Sequence, residues 1–137
     1  MKEQFLNYEQ ALALKELGFD EECFGFYYID TDVNYNQAIC FSTDIINDFG
    51  DEPNDVLAPL YQQAFRWFRE KYNLYQDISA FAWNYDKKQL GFSIRTYLNP
   101  VNIETERKVY GEVYETYEEA ELECLKKLIE IVNEQHR

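Results

Sequence analysis

The sequence predicts an α+β fold, one domain over residues 1–137, with three helices and an antiparallel sheet of four to five strands in the order α-β-β-α-β-β-(β)-α. Three observations carry this prediction. Two helix starts are written as capping boxes, Asn7-Tyr8-Glu9-Gln10 and Thr116-Tyr117-Glu118-Glu119. A third stretch, from about residue 58 to 72, repeats apolar residues at helical spacing. Between the helices, aromatic or alternating runs broken by turn residues read as paired strands.

In the first helix Asn7 is placed to accept a hydrogen bond from the backbone three residues on, and Gln10 to reach back to the cap's own N–H. Leu12, Leu14 and Leu17 follow, and Gly18 is free to take the left-handed conformation that closes a helix. Residues 23–29 are dense in β-forming aromatics, and 37–41 form a shorter apolar run beyond a polar turn, so the two suggest a hairpin. Pro59 suits the first turn of the middle helix, where Leu60, Ala64, Phe65, Phe68 and Tyr72 recur on one side. A second hairpin is marked by residues 78–85, a turn at Asp86-Lys87-Lys88 and an alternating run over 90–98, which Asn99-Pro100 ends. Residues 107–114 add one more strand. The last helix carries Cys124, Leu125, Leu128, Ile131 and Val132 on a stripe that must face a core.

Composition bounds the function classes. With 46% apolar and 18% aromatic residues in 137, the chain has enough to bury a core of its own, and 5 Gly and 3 Pro leave little for linkers. Cys23, Cys40 and Cys124 are odd in number without a CxxC pair, which points to buried thiols in a reducing compartment, most simply the cytoplasm. No signal peptide and no apolar run of membrane-spanning length is read. The net charge of −13 is unevenly spread. Residues 1–56 hold 13 carboxylates against two cations, and no lysine or arginine occurs between Lys15 and Arg66. A field of this sign steers basic partners and repels nucleic acid.

Motifs that could carry chemistry are sparse. Asp30-Thr31-Asp32-Val33-Asn34-Tyr35-Asn36 alternates oxygen donors as a calcium loop does, but Tyr35 and Phe41 stand where the loop needs glycine and a bidentate glutamate, so no metal is assigned. The one histidine, His136, lies beside the C-terminus, which removes Ser-His-Asp and Cys-His arrangements unless it is drawn inward. Neither GxGxxG nor Walker A is present, and no cofactor is expected. Paired carboxylates of the glycosidase kind stay open, because 26 acids offer many pairs and sequence does not show their separation. The one basic region, Arg66, Arg69 and Lys71 with Trp67 beside Lys87, Lys88 and Arg95, could touch nucleic acid, but its cations more simply pair with the chain's own acids. On the strand over 78–85, Phe81, Trp83 and Tyr85 alternate on one face and small residues on the other.

Three segments also carry a resemblance: residues 8–24, the middle stretch Ala58-Pro59-Leu60-Tyr61-Gln62-Gln63-Ala64-Phe65-Arg66-Trp67-Phe68-Arg69-Glu70-Lys71-Tyr72, and residues 114–132. Together they resemble a family of small uncharacterised proteins of bacteriophages, prophages and Bacteroidetes genomes. The resemblance implies a bacterial cytoplasm, during phage growth, and brings no activity, cofactor or catalytic residue.

The functional expectation is a non-enzymatic module that binds another protein, a basic one, without membrane association. Asp44, Asp48, Asp51, Glu52 and Asp55 would supply the acidic docking surface, and Trp83 and Tyr85 the grip. A sharper form is an inhibitor that imitates phosphate spacing at a nucleic-acid site. The alternatives are a small-molecule binder or carboxylate-dependent enzyme with a Tyr- and Phe-lined pocket, and a structural or assembly component.

Overall fold

The computed structural model describes residues 4–27, 39–46, 56–84, 87–97 and 105–135. In chain order they form α1 (Tyr8–Glu16), β1 (Cys23–Tyr27), β2 (Ile39–Ile46), β3 (Val56–Ala58), α2 (Tyr61–Tyr72), β4 (Leu74–Asn84), β5 (Lys87–Tyr97), β6 (Thr105–Tyr114) and α3 (Tyr117–Gln135). The class is the α+β expected. The described strands number six and lie in two antiparallel sheets, β2-β1-β3 and β4-β5-β6, where one sheet of four to five was expected. The chain divides into two compact units, Met1–Ala64 and Phe65–Arg137, and each holds one sheet.

Within the first unit, α1 begins and ends as its residues dictate. The Asn7 side chain accepts from the Gln10 N–H at 3.1 Å. At the other end Gly18 takes φ 97°, the Gly18 N–H donates to the Lys15 carbonyl at 3.0 Å and the Phe19 N–H to the Leu14 carbonyl at 2.9 Å, which is a Schellman closure. The second half of the expected capping box does not form. Gln10 is buried and its Oε1 has no hydrogen-bond partner. An amide oxygen stripped of water without a partner costs about 1–3 kcal/mol. Gln10→Met keeps the length and removes that oxygen, so we expect a gain of about 1 kcal/mol, read as a higher urea midpoint at unchanged slope. A loss of stability would mean that the amide does bond the cap.

Strand β1 is the centre of its sheet, with Gly25 opposite Phe41 of β2 on one side and Ala58 of β3 on the other. Two corrections to the sequence reading follow. Strand β2 runs on to Ile46, beyond the expected end at 41, so Asp44 is a strand residue. Strand β3 occupies 56–58, and α2 begins at Tyr61 in place of 58. The reason lies at Pro59: the proline ring disfavours helical backbone at Ala58, and its missing N–H is as harmless after a strand as in a first helical turn. The Pro59 carbonyl accepts the Leu6 N–H at 2.9 Å and Phe5 bridges Leu60, so the N-terminal segment is held here. The buried Tyr27 hydroxyl donates to the Leu6 carbonyl at 2.7 Å, and the Tyr8 ring meets the Tyr27 ring edge-on.

In the second unit Asn73, at φ 55°, ends α2 in a single left-handed step, and β4 starts at Leu74, four residues earlier than expected. The meander β4-β5-β6 has Asn84 opposite Lys87, so Lys87 and Lys88 belong to β5 and not to the turn. Strand β6 confirms and extends the expected third strand. Gly91, Phe92, Ser93 and Ile94 are buried in succession, so the central strand β5 is covered on both faces. Helix α3 packs on all three strands, burying Ala120, Glu121, Cys124, Leu125, Leu128, Ile129 and Val132. Thr116 Oγ1 accepts the Glu119 N–H at 3.2 Å, as its cap position predicts.

Candidate functional site

Of the residues expected to bind a partner, Asp44 stands in β2 and Trp83 in β4, while Asp48, Asp51, Glu52, Asp55 and Tyr85 lie outside the described residues. So do the 30–36 loop and His136. The described residues instead bring ionisable groups together at the start of α3.

Helical spacing builds this cluster. Tyr117, Glu121 and Cys124 follow one another at four and three residues, and Glu118 stands three before Glu121, so all four share one side of α3. Asp77 of β4, opposite Ser93 of β5, acts on both Tyr117 and Cys124. Glu121 is only 8% exposed, whereas Tyr117 is 44% exposed. Burial, then Glu118, raises the Glu121 carboxyl above its usual range. Burial, Glu121 and Asp77 push the Cys124 thiol up to about 12. The Tyr117 phenol rises through burial and the same acids. Among the described residues the neighbours that raise these groups are themselves acidic, so the locus resists further negative charge.

The raised Glu121 value has a sign that stability must follow. The folded state holds this proton more tightly than the unfolded chain, for which 4.5 is the ordinary value. Below that value the group is neutral in both states and without effect. As pH rises through the folded-state value the buried carboxylate becomes unfavourable and stability falls. We expect Glu121→Gln to match the parent protein in acid and to exceed it at neutral pH, measured as urea midpoints across pH. A gap that opened on acidification instead would contradict this.

Neither buried thiol is poised for chemistry. Cys23 donates to the Glu21 carbonyl at 3.3 Å and to Gln63 Oε1 at 3.8 Å, and burial with Glu21 pushes it up to about 12. A thiol so far above neutral pH presents almost no thiolate. With Cys40 replaced by serine, we expect no alkylation of the folded protein by iodoacetamide at neutral pH and full reaction once it is unfolded. Rapid alkylation of the folded chain would overturn this.

The cations of α2 are engaged within their own unit. Arg66 pairs with Glu70 at 3.0 Å, Arg69 donates to Gln76 Oε1 at 3.4 Å, and the Lys71 ammonium lies 4.9 Å from the Trp67 ring and 5.5 Å from that of Tyr72. On α3, Lys126 pairs with Glu123 and Lys127 with Glu130. Glu115, Glu118 and Glu119 are exposed and make no ion pair among the described residues. Beside them Val113 is 49% exposed.

The sequence reading passed over Glu121, although a signal was present: it interrupts the apolar stripe in phase with Ala120, Cys124 and Leu128, where a carboxylate is out of place. The chain matches no family model, no curated protein and no solved structure. No helix among the described residues is long and apolar enough to cross a membrane.

Proposed function

We propose that this chain is a non-enzymatic protein-binding module, of bacterial or phage origin, that recognises a basic partner through carboxylates set around exposed apolar side chains. The observation that carries the reading is the start of α3, where Val113 and Tyr117 are exposed among Glu115, Glu118 and Glu119. Apolar groups of this kind give affinity, and the surrounding charge gives encounter rate and selectivity. The free thiols of Cys23 and Cys124 suit a reducing cytoplasm. The test is capture from nuclease-treated bacterial lysate at low and high salt, followed by affinity measurement with the purified partner. A stoichiometric partner released by salt, and weakened when Glu115, Glu118 and Glu119 become glutamine, supports the reading. A partner indifferent to salt and to these changes sinks it.

One observation favours a second reading. A buried carboxyl that keeps its proton above the usual range, beside a phenol, is also what a general acid requires. A small-molecule ligand whose binding is abolished by Glu121→Gln would move the assignment to that class.

A further inference from the structure

The sheet β4-β5-β6 ends in two edges of different character. An edge strand turns alternate N–H and C=O groups away from its own sheet, and proteins guard such rows with charge, proline, bulges or brevity. Strand β6 is guarded: Glu106, Arg107, Lys108 and Glu112 lie along it, and its ladder with β5 breaks between Leu90 and Phe92. Strand β4 is not. Among the described residues it pairs with β5 and with no other strand. It runs 11 residues with one charge, Asp77, and no proline. From Leu74 to Phe81 its register against β5 is unbroken, and Tyr75 on this stretch is 36% exposed. In the other sheet, β3 is only three residues long, and β2 carries an acid in a unit that holds 13 carboxylates against two cations.

We infer that the outer edge of β4 is a homodimer interface, where a second copy of this chain adds its own β4 antiparallel about a two-fold axis at Ile78. Electrostatics select this occupant. A strand with a single charge offers little complement to a basic or acidic segment, whereas a second β4 meets it with neutral side chains. The Phe65–Arg137 unit is itself close to neutral, with 13 acids against 11 cations. The register keeps the like charges apart. About Ile78, Asp77 stands opposite Ser79 of the second copy, and a serine hydroxyl is already the donor that Asp77 Oδ1 accepts within its own strand, at 3.2 Å. Tyr75 stands opposite Phe81 of the second copy, an aromatic cross-strand pair. The two edges consume each other, so association closes at two copies in a six-stranded sheet.

The test is sedimentation equilibrium of the full chain from about 1 μM to about 1 mM, with hydrogen exchange followed over the same range. The mass is expected to rise from one copy to two and stop there, and amides of β4 to slow with concentration while those of β6 do not. Ala80→Lys places a lysine at an exposed position of the edge and is expected to weaken the dimer about tenfold or more. Asn133→Lys adds the same charge at an exposed position of α3 and is expected to leave it within about twofold. Since each copy carries −13, salt is expected to tighten the dimer by screening repulsion. The acidic-surface reading expects salt to release its partner, so the two proposals fail separately. A single-copy mass up to about 1 mM, slowing on β6 in place of β4, or an Ala80→Lys dimer as tight as the parent's overturns the interface. So does a β4 edge protected only by a different protein. If Ala80→Lys does not fold, as its urea midpoint will show, hydrogen exchange of the parent chain decides alone.

Discussion

Replacing Phe68 with alanine is expected to lower the stability of the Phe65–Arg137 unit by about 3–5 kcal/mol, the largest effect of any single truncation considered. Phe68 is fully buried, its ring centroid lies 5.1 Å from that of Trp67 in an edge contact and 6.0 Å from that of Tyr72. Truncation removes both ring contacts and leaves a cavity that two large neighbours cannot fill without leaving their rotamers. Small domains are stable by only about 5–15 kcal/mol in all, so the variant should unfold at a much lower denaturant concentration. Phe68→Leu, which keeps most of the volume, is expected to recover more than half of the loss. The adjacent exposed pair provides the contrast: Arg66→Ala breaks the Arg66–Glu70 bridge, whose side chains are 66% and 58% exposed, and should change stability by less than about 0.5 kcal/mol. Urea unfolding followed by tryptophan fluorescence checks all three. A loss at Arg66 comparable to that at Phe68 would mean that charge, not packing, holds this helix.

The helices were legible because their signals are local. Asn7, Gly18 and Thr116 act within one turn, and each does what its position predicts. The strands were less legible because pairing is decided by residues far apart in sequence. Val56–Ala58 is three residues long and has no room for an alternating pattern, yet it pairs with β1 because Gly25, Phe26 and Tyr27 offer it a partner edge. Pro59 suits a first helical turn and the end of a strand equally well, so it does not tell where the helix starts, and α2 begins at Tyr61. Asp44 shows the same limit: the apolar run over 37–41 stops short of it, but the ladder from Ile39 to Ile46 carries it into a strand.

The site was less legible than the fold. Net charge and its segregation can be counted, and they led to acids in residues 44–55. Whether a carboxylate is buried depends on the phase of its helix against a sheet. Glu121 differs from Glu118 and Glu119 only by falling in step with Cys124 and Leu128. Asp77 comes to the cluster from β4, through a pairing with Ser93 that no local pattern announces. The position of a charge relative to a packed face, not the amount of charge, is what sets these acids apart.

Gly25→Ala is expected to destabilise the Met1–Ala64 unit by about 1–3 kcal/mol, although the same change on an unstrained backbone usually stabilises by about 0.4–1 kcal/mol through the unfolded chain. Backbone conformation is not the reason. Among the described residues Gly18 is the glycine held at positive φ, and Gly25 is an extended residue at the centre of its sheet. The reason is space. A Cβ at Gly25 would lie 2.9 and 3.0 Å from two ring carbons of Phe5 and 3.1 Å from the Ala58 carbonyl oxygen. The ring is itself buried and its backbone is tied to Leu60, and the carbonyl belongs to the neighbouring strand of the ladder, so neither wall yields freely. A second substitution separates the two walls. Phe5→Val removes the ring, costs stability by itself, and is expected to reduce the penalty of Gly25→Ala by at least about 1 kcal/mol, because residues in contact couple. Some penalty should persist, since the Ala58 carbonyl remains. Urea midpoints for the two single variants and the double variant close the cycle. Strict additivity would show that the Phe5 ring is not what keeps this position a glycine, and a stabilised single variant would show that the sheet opens to admit the methyl group.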